Sequence, residues 1–181
     1  MTENLPPRRV LCLGGSLRKV SSNRAALEAA RALAPPSLRL ELYVQMGTLP
    51  WFNPDVEINP LPPPVRDLRE AVGRADALLI ACPEYAHGIP GAFKNLLDWL
   101  VGSLEFPDKP VLLLNCSARG SRHAQDALLD VLETVSARML SPEPIAVRLP
   151  GTGIATAEVL ANEDRRRELQ VALGCLAAGL T

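Results

Sequence analysis

Three short, mainly apolar runs constrain the fold of this chain more than any other feature of its sequence. They are Val10–Leu13, Ala77–Cys82 and Val111–Cys116. None of them alternates apolar with polar residues, which is typical of strands that are buried on both faces of a parallel sheet. Two weaker candidates, Leu38–Val44 and Ile145–Leu149, mix charged and apolar residues, which favours strands nearer an edge.

Helical periodicity fills the segments between these runs. The clearest stripe follows Pro90, a residue suited to the first position of a helix. Its members recur at the i, i+3, i+4, i+7 and i+8 spacing of one helix face and are Phe93, Leu96, Leu97, Leu100 and Val101. Similar stripes predict helices after Ser21, over 65–74, over 124–135 and over 169–177. A strand followed by a helix, repeated five times, predicts a doubly wound α/β domain with a parallel sheet and helices on both faces.

Composition argues against several classes of function. The 181 residues carry 19 basic and 20 acidic side chains, so neither nucleic acid nor an anionic membrane surface is expected as a partner. The longest apolar runs have about six residues, far fewer than the roughly 20 that span a bilayer, and we expect a cytoplasmic protein. The cysteines form no CxxC pair, so no metal site is expected, and Cys12, Cys82 and Cys116 are interpreted as buried apolar residues. The length suits one domain over residues 1–181, with a flexible polar segment at residues 1–8.

The loop after the first predicted strand, Gly14–Asn23, has the composition of an anion site. Its glycines let the backbone come close to a ligand, and the N–H groups at the start of the next helix attract anions. It adds four neutral polar side chains and a guanidinium suited to phosphate, namely Ser16, Ser21, Ser22, Asn23 and Arg18. Its spacing matches neither GxGxxG nor GxxxxGK[ST], which disfavours a dinucleotide fingerprint and excludes P-loop hydrolysis. The alternative is a serine-rich helix cap without a ligand.

Two further loops leave the other buried strands at the same edge of the sheet, where ligands of doubly wound folds bind. In the second, Pro83–Gly91, prolines and glycines fix the backbone and Tyr85 offers an aromatic face. The third, Ser117–Ser121, is small and hydroxylated, so it can pass close to a ring. His87 is a weak candidate for a proton donor. Glu84 is interpreted mainly as a carboxylate that holds backbone or a partner subunit.

Three motifs resemble the NADPH-dependent FMN reductase family, which also includes flavin-bound quinone, azo-dye and chromate reductases. They lie at Gly15–Asn23, Leu49–Asp55 and Pro83–Leu100, and the last reads Pro-Glu-Tyr-x-x-Gly-Ile-Pro-Gly-x-x-Lys-Asn-x-x-Asp-Trp-Leu. The similarity runs in register from about Arg9 to Val147. The resemblance implies a flavodoxin-like fold whose five-stranded parallel sheet has the order 2-1-3-4-5. It also implies FMN as the bound cofactor and NADPH or NADH as the hydride donor.

Residue by residue, the resemblance assigns three groups of contacts to FMN. The groups are Ser16, Arg18, Ser21 and Asn23 around the phosphate, with Ser22 beside them; Pro83, Glu84 and Tyr85 along the ribityl chain and ring, followed by Ala86; and Ser117 and Gly120 facing the flavin. Two positions depart from the family pattern. Many members have Asn where this chain has Ala86, and glycine where it has Val20.

These features predict a reductase that passes hydride from NAD(P)H through FMN to a small acceptor, such as a flavin, a quinone, an azo compound or a metal oxyanion. A flavodoxin-type electron carrier that docks on proteins is the alternative, which the near-neutral charge of −1 disfavours. A flavin-free interaction domain is a third hypothesis. Trp99 falls outside the stripe on its helix, so we expect its indole to be exposed in a monomer and covered in a homodimer or tetramer.

Overall fold

The sheet carries the strand order expected from the sequence. In a computed structural model, which describes residues 6–58, 60–151 and 153–180, all paired strands are parallel and the order is β2-β1-β3-β4-β5, with β6 also on β4. The strands are β1 (Arg8–Gly14), β2 (Leu38–Tyr43), β3 (Ala77–Ala81), β4 (Pro110–Ser117), β5 (Arg138–Met139) and β6 (Ile145–Leu149). The helices are α1 (Ser22–Leu33), α2 (Pro63–Arg74), α3 (Gly91–Val101), α4 (Arg122–Thr134), α5 (Thr156–Ala161) and α6 (Glu163–Gly179).

The fifth position of the sheet holds two strands instead of one, so the described residues form six strands where five were predicted. β5 pairs with the beginning of β4, whereas β6 pairs with the end of β4, from Leu114 onwards. Pro142 and Pro144 lie between them. Proline has no N–H to donate to a ladder, so the strand stops after Met139 and the chain rejoins the sheet at Ile145.

Two hydrophobic cores cover the two faces of the sheet. One face packs against α1, α5 and α6, and the other packs against α2, α3 and α4. Every residue of β3 is buried, which explains why its sequence does not alternate. Cys12, Cys82 and Cys116 are buried as predicted. The expected flexible segment, 1–8, falls mostly outside the described residues, and its last member, Arg8, already begins β1.

Helix α3 corrects one prediction from the sequence. Four members of its apolar stripe are buried, but Val101 is 59% exposed and Trp99 is fully buried. The loop after β2 folds back over α3 and covers the indole: the Trp99 N–H donates to the Pro50 carbonyl at 2.8 Å, and the Phe52 ring meets the indole edge-on at 5.0 Å. The expectation of an exposed Trp99 is therefore wrong, because periodicity detects the face towards the sheet and not a face covered by a loop.

No helix among the described residues combines the length and the apolarity that crossing a membrane requires.

Candidate functional site

A cleft lies between the loops that follow β1, β3 and β4, at the carboxyl edge of the sheet. It brings together most of the residues predicted from the sequence, namely Ser16, Arg18, Ser21, Ser22, Asn23, Pro83, Glu84, Tyr85 and Ser117. Two of the loops touch directly, since the hydroxyls of Tyr85 and Ser16 are 3.2 Å apart. Ala86 and Gly120, which were also predicted, are not among the residues that line the cleft.

The start of α1 forms one end of this cleft. Its first backbone hydrogen bond runs from the Ala25 N–H to the Ser21 carbonyl at 2.9 Å. The N–H groups of Ser22 and Asn23 precede that bond and have no partner within the helix. Together with the helix dipole and the Arg18 side chain in the lining, they favour an anion at this point.

Ser22 and Asn23 offer different groups to a ligand. The Ser22 hydroxyl donates to the Pro150 carbonyl at 2.5 Å, so it ties α1 to the segment after β6 and leaves mainly its backbone N–H for the cleft. The Oδ1 of Asn23 is buried and has no hydrogen-bond partner among the described residues, which costs free energy unless a ligand supplies a donor. FMN has both kinds of group, since its phosphate accepts and its ribityl hydroxyls donate. The residues present therefore fit FMN.

The second loop closes on itself in a tight turn. The N–H of Tyr85 donates to the Gly88 carbonyl at 3.1 Å, and the N–H of Gly88 donates to the Tyr85 carbonyl at 3.0 Å. Between them Ala86 and His87 have φ angles of 49° and 60°, the positive values of a type I′ turn. The turn holds the Tyr85 ring, 45% exposed, at the mouth of the cleft.

Glu84 holds the start of α4. Its Oε2 accepts a hydrogen bond from the Ala124 N–H at 3.0 Å, a contact that the N-cap residue Ser121 does not make with its own side chain. Its Oε1 lies 3.4 Å from Nδ1 of His87, and the His87 ring packs edge-on against His123 at 4.6 Å. Glu84 thus fixes backbone, as its neighbours in the sequence suggested, while the His87 side chain is 78% exposed outside the cleft.

Gly120 shapes the third loop instead of lining the cleft. Its φ of 91° strains any side chain. Its carbonyl accepts from Nδ2 of Asn115 at 2.6 Å. Val20, at a position where the family often has glycine, is not among the described residues with positive φ, so this part of the first loop does not require glycine.

Four lining residues were not predicted from the sequence: Cys82, Cys116, Ser121 and Gly151. The two cysteines end the apolar runs of neighbouring strands, so their place at this edge could have been foreseen, whereas Gly151 belongs to no motif. Burial raises the pKa of both thiols to about 12. Both stay protonated near neutral pH and are poor nucleophiles.

The cleft is built to bind and position a ligand. Among its described lining residues Glu84 is the one carboxyl, and it already holds α4. A site that offers an anion-binding end and an aromatic mouth, without an available acid, base or thiolate, suits a cofactor that carries its own reactive atoms.

Comparison with known proteins identifies the family. The model of the NADPH-dependent FMN reductase family matches residues 8–149. The chain belongs to this family. An NAD(P)H-dependent FMN reductase of Pseudomonas aeruginosa is 37% identical over 166 residues, which cover 89% of this chain and 88% of that protein. A 2-hydroxy-1,4-benzoquinone reductase of a Burkholderia species is 29% identical, with 94% of each chain covered.

A solved structure confirms the fold. The flavoenzyme FerB of Paracoccus denitrificans, an NAD(P)H:(acceptor) oxidoreductase, superposes with a TM-score of 0.80 and 27% identity, covering 96% of this chain and 97% of that one. The predicted flavodoxin-like fold and family are thus confirmed. The protein is an oxidoreductase that uses FMN and NAD(P)H, and the alternative of an electron carrier is not favoured.

Proposed function

We propose that FMN binds in the cleft with its phosphate at the start of α1 and its ring beside Tyr85, and that a quinone or a flavin is the electron acceptor. The observation that carries this proposal is the convergence of the first two loops, joined by the contact of Ser16 with Tyr85. It brings the phosphate donors of the first loop and the aromatic ring of the second loop into one cleft.

When bound, FMN supplies the redox chemistry, because its ring system accepts and returns hydride. The residues of this chain bind and orient it. Arg18 and the N–H groups of Ser22 and Asn23 hold the phosphate, Asn23 accepts from a ribityl hydroxyl, and the Tyr85 turn borders the ring. The protonated thiols of Cys82 and Cys116 contribute apolar surface.

The choice of acceptor rests on the relatives. The Burkholderia enzyme is named for a hydroxybenzoquinone, and the Pseudomonas enzyme for FMN itself. A hydroxybenzoquinone and the ring system of FMN are both flat and polar, and both can stack at an open cleft mouth. A quinone and a flavin are therefore the first two acceptors to test.

The working form in this proposal is a cytoplasmic homodimer built from one domain per chain, with the flavin near the subunit boundary. The buried Trp99 no longer supports a dimer, but Trp51, on the loop after β2, is 77% exposed. Large exposed aromatic residues often form the centres of protein contacts. All four cysteines are free, which suits a reducing compartment.

The phosphate assignment is tested with the variant Arg18→Ala. Losing charge-assisted hydrogen bonds to the phosphate should weaken FMN binding by roughly 1.5–3 kcal/mol. Riboflavin, which lacks the phosphate, should bind almost equally to both proteins. Fluorescence titration of the apoprotein with each flavin measures both affinities.

Arg31→Ala is the matched control, because it removes the same charge from the last turn of α1. Arg31 lies roughly 14 Å along the helix from Ser22, the first residue of α1. Its FMN affinity should be that of the parent. Equal losses for FMN and riboflavin in Arg18→Ala would contradict the phosphate assignment. Failure of NADPH and NADH to bleach the bound flavin would contradict the proposed activity.

A further inference from the structure

A second cleft lies on the other side of the first loop. It is bounded by that loop, the beginning of α1 and the carboxyl end of β2, and its volume of about 160 Å³ is similar to the about 150 Å³ of the first cleft. Its lining includes the apolar residues Cys12, Leu27 and Leu42. Apart from Ser16 and Arg18, which line both clefts, the proposed binding of FMN uses none of the residues that line this cleft.

The rim of the second cleft is basic. Arg18, Lys19 and Arg24 line it, and none of its lining residues is acidic. Arg24 is neutralised by Glu28, its partner at 2.9 Å. Lys19 is exposed, and among the residues that the structure describes it makes no ion pair or hydrogen bond. The positive charge of Lys19 is therefore available to an anion.

Two exposed apolar side chains complete the second cleft. Leu17 and Val44 are 61% and 69% exposed, and both belong to its lining. Apolar surfaces beside a lysine suit a flat base that carries a nearby phosphate, because the ring covers the apolar surface while the phosphate meets the charge.

The two clefts share Ser16 and Arg18 in their linings. One ligand that crosses the first loop can therefore reach both. NADPH is such a ligand: its nicotinamide must meet the flavin to deliver hydride, and its adenosine 2′-phosphate lies at the far end of an extended molecule.

We infer that the second cleft binds the adenosine 2′-phosphate end of NADPH, and that Lys19 makes the protein prefer NADPH to NADH. This inference rests on the proposed binding of FMN in the first cleft. It assigns donor specificity to Lys19, which lines the second cleft and not the first.

The test uses fragments that isolate the 2′-phosphate. FMN-loaded protein is titrated calorimetrically with adenosine 2′,5′-bisphosphate and with 5′-AMP, which differ by that group alone. The parent protein should bind the bisphosphate more tightly. Lys19→Ala should weaken bisphosphate binding roughly tenfold, which is about 1.4 kcal/mol, and change 5′-AMP binding less than twofold. Loading with FMN keeps the fragments out of the first cleft.

Arg39→Ala is the matched control. Arg39 lies near the start of β2, on the strand that ends at the second cleft, and it forms an ion pair with Glu41 at 3.0 Å. Leu40 and Glu41 separate it from Leu42, the first strand residue of the cleft lining, so the Cα atoms of Arg39 and Leu42 are roughly 10 Å apart. This variant removes the same unit of charge and should bind both fragments like the parent. It therefore separates the effect of a lower net charge on the protein from the effect of losing the Lys19 charge at the second cleft.

Kinetics give the second readout. In Lys19→Ala the ratio of kcat/KM for NADPH to that for NADH should fall about tenfold. Equal affinity of the parent for both fragments, or an equal loss for both in Lys19→Ala, would overturn the inference while leaving FMN-dependent turnover intact. A protein that does not bind FMN would instead fail the proposed function, which the flavin spectrum reveals before any fragment is added.

Discussion

Two loops at the carboxyl edge of the sheet each present an exposed aromatic ring, and they hold it in opposite ways. Trp51 sits on a segment that α3 fastens by side chains: Asn95 donates to the Pro50 carbonyl at 3.0 Å and accepts from the Phe52 N–H at 2.7 Å. Tyr85 sits on a turn that closes on itself through backbone hydrogen bonds and two left-handed residues.

The difference shows where each loop is vulnerable. The conformation of the Trp51 loop depends on distant residues, because Trp99 and Asn95 supply its hydrogen bonds. Arg69 adds support, since it pairs with Glu57 and donates to the Trp99 carbonyl at 2.9 Å. The Tyr85 turn depends instead on which residues occupy its own left-handed positions. Changes in α3 should disturb the first loop and spare the second.

The largest effect is expected for Trp99→Ala. Removing a fully buried indole leaves a cavity and takes away one of the two hydrogen bonds that the Pro50 carbonyl accepts, and should lower the free energy of unfolding by about 3–5 kcal/mol. Urea unfolding followed by circular dichroism measures this loss. Limited proteolysis should show new cleavage at residues 49–55 and none at residues 83–88.

Trp99→Phe sharpens the same test. It keeps most of the buried ring and removes the N–H that bonds to Pro50, so a smaller loss of about 1–3 kcal/mol is expected. If cleavage at residues 49–55 stays unchanged in both variants, the loop is not held by α3 and the contrast with the Tyr85 turn disappears.

Trp51→Ala is expected to act on assembly and not on the fold. The side chain is exposed, so the free energy of unfolding of a subunit should change by less than about 0.5 kcal/mol. If Trp51 is at the centre of the dimer contact, the dissociation constant should rise roughly 30-fold, or about 2 kcal/mol. Sedimentation velocity over a dilution series measures it.

Leu104→Ala is the control for exposure alone, since Leu104 is 94% exposed just beyond α3. Its dissociation constant should match that of the parent. A parent protein that is monomeric at micromolar concentration with full NADPH oxidation would remove the dimer proposal. An unchanged Trp51→Ala dimer would remove only the role of Trp51.

The fold was largely predictable because its signals are local. Runs such as Ala77–Cys82 and the stripe on α3 report burial against the sheet directly. Contacts between distant segments of the chain leave no periodic pattern in the sequence. Trp99 was misplaced because its cover comes from Pro50 and Phe52, and the split of the fifth strand depends on which part of β4 each segment meets.

Most residues of the cleft were also predictable from the sequence. Motif residues such as Ser16, Ser21 and Tyr85 lie together because the carboxyl ends of neighbouring parallel strands meet at one edge. The detailed role of a side chain was not predictable. The Ser22 hydroxyl donates to the carbonyl of Pro150, far along the chain. Ala86 has a φ of 49° and is not among the residues that line the cleft.

Ala86→Gly should have the smallest effect and the opposite sign. At a φ of 49° a residue with a Cβ is strained, and glycine relieves that strain at a smaller cost in unfolded-chain entropy. A gain of about 0.5 kcal/mol in the free energy of unfolding is expected, or a Tm about 1–2 °C higher.

Ala127→Gly is the matched control: Ala127 lies within α4, where the same substitution should cost about 1 kcal/mol. Differential scanning calorimetry of the two variants shows whether their Tm values shift in opposite directions. A loss of stability in Ala86→Gly would show that the Tyr85 turn carries no strain at this position, and the proposed difference between the two loops would then rest on hydrogen bonds alone.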